Sequence, residues 1–201
     1  MKLCRLVLAV VGATVLLGTV VSTASARRIE FNSQFERVLY SSIRFHMPEG
    51  TVICHMTLES SMHSRTLTKV IGSLIGYITS AILGPCQDGT ATVLRETLPW
   101  HQRYSGFTGR LPAITNIKVH TIGWDVKVRP SGGNACLTRS ATTEPVLETD
   151  IVEAGGNLTT AELSGTITTG MECFGLGGSF TALPGRILVS GTANALRARL
   201  I

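Results

Sequence analysis

The sequence predicts an all-β fold: an antiparallel sandwich or barrel of about ten short strands, with two disulfides and one short helical turn. Three observations predict it. Apolar and polar residues alternate with a period of two through several stretches, as in half-buried strands. Turn signals rich in Gly, Pro, Asn and Asp recur roughly every 8–15 residues. Four cysteines follow an N-terminal export-like segment, where an even count points to disulfides.

The export reading rests on residues 1–26. Lys2 and Arg5 form a basic start, Leu6 to Val21 an apolar run, and Ala24-Ser25-Ala26 a small-residue cleavage motif before Arg27-Arg28. The run has 16 residues, whereas a spanning helix needs about 20, so a cleaved signal is expected rather than an anchor. Cys4 precedes the run; a lipid-bearing cysteine would follow it. The most apolar later stretch, Val70 to Leu83, is interrupted by Gly72, Ser73, Gly76, Thr79 and Ser80, so no membrane span is expected after cleavage. Residues 27–201 are then one secreted domain of the cell exterior or envelope, large enough to bury a core.

The formal charge of +5 falls to +3 when Lys2 and Arg5 leave. The remaining charges are spread, and Arg27-Arg28 is the one basic cluster. A nucleic-acid binder would show a basic stripe, so that class is excluded, and the lower charge removes the main reason to suspect an acidic partner. Cys54, Cys86, Cys136 and Cys173 allow three disulfide pairings; Cys54–Cys86 with Cys136–Cys173 is favoured because each then staples one half of the chain. Their wide spacing, without a C-x-x-C pair, does not suit a metal site.

Element by element, Arg27 to Glu36 reads as a flexible lead-in or weak edge strand. Leu39, Ser41, Ile43, Phe45 and Met47 form one face of a strand, with Arg44 and His46 opposite. Pro48-Glu49-Gly50 turns the chain, and Val52, Cys54, Met56 and Leu58 face the core on the returning strand. In Ser61 to Leu83 the apolar residues fall at helical spacing, yet β-branched residues and glycines favour strand. The expectation is a helical turn over 68–74, then a strand over 76–83 ended by Gly84-Pro85. Gln87-Asp88-Gly89 is a turn before a strand over 90–96. Ile117 and Val119 face inward on odd positions, then Trp124, Val126 and Val128 on even ones, with Asp125, Lys127 and Arg129 outward. A bulge or tight turn must therefore lie near Thr121 to Gly123. Pro130 to Asn134 forms a loop and Cys136 opens the next strand. Strands over 158–168, 187–189 and 196–200 follow, with a loop over 175–178.

The most distinctive local patch is Pro99 to Tyr104. As a strand it puts Trp100 and Tyr104 on one face, His101 and Arg103 on the other. The four are the candidate ligand surface, for a glycan, the cell wall or an apolar ligand; the competing role for Trp100 and Tyr104 is core anchorage, since aromatic side chains dominate core burial. His46, His55, His63, His101 and His120 show no tight metal-ligand spacing and read as polar strand positions. There is no G-x-S-x-G, and the aspartates number three, Asp88, Asp125 and Asp150. Phe174-Gly175-Leu176-Gly177-Gly178 lacks the Lys-Ser/Thr of a phosphate loop. No catalytic, metal or cofactor residue is therefore assigned. Asn157-Leu158-Thr159 fits the glycosylation acceptor pattern.

Cys54 to Glu59, His63-Ser64-Arg65-Thr66 and Thr97-Leu98-Pro99-Trp100-His101 resemble segments of uncharacterised secreted proteins of actinobacterial type. More remotely, the layout is similar to the protein activator of alkane oxidation family. The shared features are a strand cysteine, a second cysteine followed by Leu98-Pro99-Trp100, and a later cysteine pair. The resemblance implies surface-active or adhesin-like behaviour and carries over no functional residue. The expected function is thus a non-enzymatic binding or structural protein of the cell envelope or exterior. The alternatives are an extracellular hydrolase with a dispersed triad and a surface-active protein.

Overall fold

Nearly every alternating stretch becomes a strand, and the strands are longer and more numerous than expected. The computed structural model describes residues 28–110, 113–140, 145–167 and 178–201. Residues 1–26, Cys173 and most of the expected 175–178 loop lie outside them. In chain order the strands are β1 (Arg28–Phe31), β2 (Phe35–Met47), β3 (Gly50–Met62), β4 (Thr66–Thr68), β5 (Leu74–Gln87), β6 (Gly89–Val93) and β7 (Trp100–Arg110). There follow β8 (Ala113–Ile122), β9 (Asp125–Pro130), β10 (Cys136–Arg139), β11 (Val146–Val152), β12 (Asn157–Ile167), β13 (Gly178–Val189) and β14 (Leu196–Leu200). One turn of 3-10 helix, Arg95–Thr97, precedes β7.

Eight of these strands close into a ring. β2, β3, β5, β7, β8, β11, β12 and β13 pair antiparallel in that order, and β13 pairs back onto β2. Each wall strand therefore neighbours the next wall strand in the chain, so the fold is an up-and-down barrel. The sandwich alternative is set aside. β12 also carries an extension, β14-β1-β4, while β6-β9-β10 forms a separate small sheet. Closure leaves the wall strands no free edge for edge-to-edge pairing.

The wall coils through irregularities that line up across neighbouring strands. Ser41-Ser42 on β2 and Gly84-Pro85 on β5 both bulge opposite the single residue His55 of β3. A bulge accommodates Pro85, which has no N–H to offer the ladder, so Gly84-Pro85 bends the strand where the sequence suggested an end. The β2 bulge also resets the side-chain phase. Val38 and Tyr40 point inward before it, Ile43, Phe45 and Met47 after it, while Leu39 and Ser41 leave the face predicted for them. Cys54 and Cys86 are cross-strand partners beside this bend and form a disulfide. Cys136 is buried on β10, and the other expected pairing lies outside the described residues because it involves Cys173.

Both ends of the barrel are covered. At one end the chain leaves β8 at Gly123, whose φ of +90° suits glycine, and enters β9. This is the predicted phase break, and it moves the chain from the wall into the small sheet. Trp124 then stacks on the inward-facing Phe180 at 5.0 Å and meets Trp100 at 4.7 Å. Asp125, expected outward, is instead buried and paired with Arg139 across β9 and β10 at 2.7 Å. At the other end Phe31 of β1 and Leu196 of β14 sit over the interior together with Met62 and Leu158. Arg28–Phe31 is thus a paired inner strand of the extension rather than a flexible lead-in or edge.

The helical turn expected over 68–74 does not form. Gly72 takes φ +81°, its N–H donates to Tyr104 O, and Tyr104 N–H donates to Ser73 O. These bonds draw the segment against β7 as a turn entering β5. Val70, Ile71 and Leu74 remain exposed. The strand expected over 90–96 ends at Val93.

Two glycines make room for interior rings. A Cβ on Gly165 would lie 2.5 Å from the Phe180 ring, and one on Gly185 2.6 Å from the Tyr40 ring. Gly185→Ala is therefore expected to destabilise the fold by about 1–3 kcal/mol through overpacking, read from the midpoint of urea unfolding. Replacing Cys54 and Cys86 with alanine is expected to cost about 3–4 kcal/mol, the loop-closure value for their separation, in the same measurement.

Candidate functional site

Among the described residues, the largely apolar barrel interior holds a polar cluster near the β1-β14 end. Glu36 is on β2, and Glu148 and Asp150 are on β11, two residues apart and so on one face. All three side chains point inward, and ligand-capable oxygens from the three lie within 4.8 Å of one another. Exposure is 6% for Glu36, 2% for Glu148 and 6% for Asp150. Ser60 of β3 donates to Glu36 Oε2 at 3.0 Å. Tyr40 OH donates to Glu148 Oε1 at 3.2 Å, and Gln102 Nε2 to Glu148 Oε2 at 3.4 Å. Glu36 Oε1 and Asp150 Oδ1 have no hydrogen-bond partner.

Burial without a compensating cation disfavours the ionised form. Burial, reinforced by the charge of Glu148, pushes the Glu36 carboxyl up to about 8 against the opposing Ser60 hydrogen bond. Burial raises Glu148 to about 7, opposed by the hydrogen bonds from Tyr40 and Gln102. Asp150 is raised well above its ordinary range by burial and by the two glutamates. Tyr40 is raised too, by burial and by the nearby carboxylates, so it keeps its proton and remains a donor. A cavity of about 20 Å³ lies against Glu36, Asp150 and Gln102. That is room for about one water-sized occupant.

The expected ligand surface at Trp100, His101, Arg103 and Tyr104 is divided by the barrel wall. Trp100 and Tyr104 are 0% and 2% exposed and serve the core, with Trp100 Nε1 donating to Thr97 Oγ1 at 2.9 Å. Neither is a surface residue, because the inward positions of β7 face the interior of a closed barrel. His101 and Arg103 lie on the outer wall. There the Tyr77 ring contacts His63 at 4.9 Å and His101 at 5.1 Å, both edge-on. His46, His55 and His101 are exposed and His120 is half-buried at polar strand positions, whereas His63 is exposed just past the end of β3 rather than on a strand.

A concave surface lies elsewhere, over the extension. A groove of about 320 Å³ is lined by Arg65, Arg197 and Arg199 together with Glu30 and Asn32. Arg199 Nε donates to Glu30 Oε2 at 2.6 Å, and Arg65 Nε donates to Phe31 O at 3.1 Å. A second groove of about 430 Å³ shares Gly155, Ala198 and Arg199 with it and adds Ile114, Val152 and Leu200. The arginines escape sequence reading because Arg65 is more than 130 positions from Arg197 and Arg199. The available signal was the alternation that turned Arg197 and Arg199 outward. The carboxylates left a similar trace, as acidic residues at inward positions of strands.

Comparison with protein-family models, curated proteins and solved structures finds no match to this chain. The class is therefore defined by geometry alone: a closed, side-chain-filled antiparallel barrel with a buried acidic cluster and an arginine-lined outer groove. Among the described residues no helix is long and apolar enough to cross a membrane.

A raised carboxyl pKa means that the folded chain holds protons the unfolded chain releases. Stability from this source is full below the unfolded value and declines as pH rises through the folded one. In protein freed of divalent ions, Tm is thus expected to fall as pH rises from 4.5 to about 8. Glu36→Gln, neutral at every pH, is expected to flatten that slope in thermal melts.

Proposed function

We propose that this protein is a non-enzymatic binding protein of the cell exterior or envelope, and that the outer groove over β14-β1-β4 takes an acidic glycan. The observation that carries the reading is the convergence of Arg65, Arg197 and Arg199 on one concave surface of ligand size. Guanidinium groups present paired donors that match carboxylate or phosphate oxygens. Arg65 and Arg199 are braced by Phe31 O and Glu30, whereas Arg197 has no acidic partner among the described residues. The continuing second groove lengthens the surface, which suits a polymer better than a small molecule. The space against the buried carboxylates holds about 20 Å³, too little for an organic substrate.

Retention on immobilised acidic and neutral glycans tests the proposal, alongside turnover assays with ester, glycoside and peptide substrates. Wild-type protein is expected to bind the acidic supports, with affinity falling as salt rises. Arg65→Ala with Arg197→Ala is expected to weaken binding about tenfold or more, the worth of one or two charge-assisted hydrogen bonds. Turnover abolished by a single His→Ala change would falsify the non-enzymatic reading.

A second reading, surface activity, is favoured by the apolar tip of the β4–β5 loop. Val70 is 61% and Ile71 76% exposed there, beside Leu74. If that tip carries the function, Val70→Ser with Ile71→Ser will abolish the lowering of surface tension and leave glycan retention unchanged.

A further inference from the structure

We infer that the barrel interior is a binding site for one dehydrated divalent cation of the hard, oxygen-preferring class, held by Glu36, Glu148 and Asp150. Three observations converge. The three carboxylates bring oxygens within 4.8 Å of one another from two strands that are not neighbours in the ring. Glu36 Oε1 and Asp150 Oδ1 are each without a hydrogen-bond partner in side chains at least nine-tenths buried. A cavity of about 20 Å³ is lined by those same two residues and Gln102 together with apolar side chains. An unpartnered buried polar atom beside a cavity calls for an occupant.

The donor set selects the class of ion. Every first-choice donor is a carboxylate oxygen, with the Gln102 amide and the Tyr40 hydroxyl beside them; sulfur and imidazole are not among these donors. Oxygen ligation suits Ca²⁺ or Mn²⁺ rather than zinc or copper. The cavity's size narrows the choice further, because Mg²⁺ retains several waters where possible and this space admits about one. Phe31 and Leu196 roof the cavity, so the ion would enter during folding and exchange slowly afterwards. Its role would be structural, joining β11 to β2 across the lumen. This site is separate from the outer groove and does not depend on the glycan reading.

The test is to refold the full chain, with its disulfides oxidised, in Ca²⁺, in Mn²⁺ or in EDTA. Bound metal is then measured by elemental analysis after exhaustive dialysis, and Tm by thermal melt at pH 7.5. The expected result is about one equivalent of Ca²⁺ or Mn²⁺ retained, with Tm raised by about 5 °C or more over the EDTA sample. Glu36→Gln and Asp150→Asn are expected to lose both the retained metal and the shift, while Glu59→Gln on the outer wall keeps both. Wild-type protein that retains neither ion and melts identically in all three buffers overturns the inference. So does Glu36→Gln protein that binds metal as wild type does. If the interior variants do not fold, the wild-type metal content and melting shift decide the matter alone.

Discussion

The pairing of β13 with β2 is the constraint from which the rest of this structure follows. The last wall strand returns to the first, and eight antiparallel strands become a ring. Once the ring is closed, every inward side chain must share one enclosed volume, and backbone irregularities must supply the curvature. The aligned bulges around His55 and the glycines facing Tyr40 and Phe180 are consequences of that geometry. So is the filling of the interior by side chains among the described residues, since eight strands leave a space that side chains can occupy.

Closure also explains how the ends are used. A ring of this size needs its two openings covered, and the chain supplies two separate three-stranded elements for the purpose. The small sheet delivers Trp124 onto Phe180 and Trp100 at one end. The β14-β1-β4 extension delivers Phe31 and Leu196 at the other. The second cover has an outer surface as well as an inner one. Its inner residues roof the acidic cluster, and its outer residues gather three arginines into a groove. The two candidate sites therefore lie on opposite faces of one element, one closed to solvent and the other open to it.

The acidic cluster is the clearest departure from a simple apolar core. Burying three carboxylates opposes folding unless protons or a cation offset the charge. Hydrogen bonds from Tyr40, Ser60 and Gln102 satisfy only part of their acceptor capacity. An arrangement that leaves two carboxylate oxygens unpartnered beside a cavity is costly in a core whose only task is packing, which favours a functional or structural occupant.

From the sequence alone, the all-β class, the β2–β3 hairpin, the phase break before Trp124, the outward arginines of β14 and the Cys54–Cys86 pairing were legible. Each depends on local alternation, turn chemistry or the division of the cysteines between the two halves of the chain. Ring closure, the strand reaching through Gly84-Pro85, the inner position of Arg28–Phe31 and the burial of Asp125 were decided by tertiary structure. So were the separation of Trp100 and Tyr104 from His101 and Arg103, and both candidate sites. The reason is physical. Alternation tells which residues share a face of one strand, but the face becomes interior or exterior only when distant strands pair. Glu36 and Glu148 are 112 positions apart in the chain; what brings their carboxylates together is the circumference of a barrel, which no local pattern encodes.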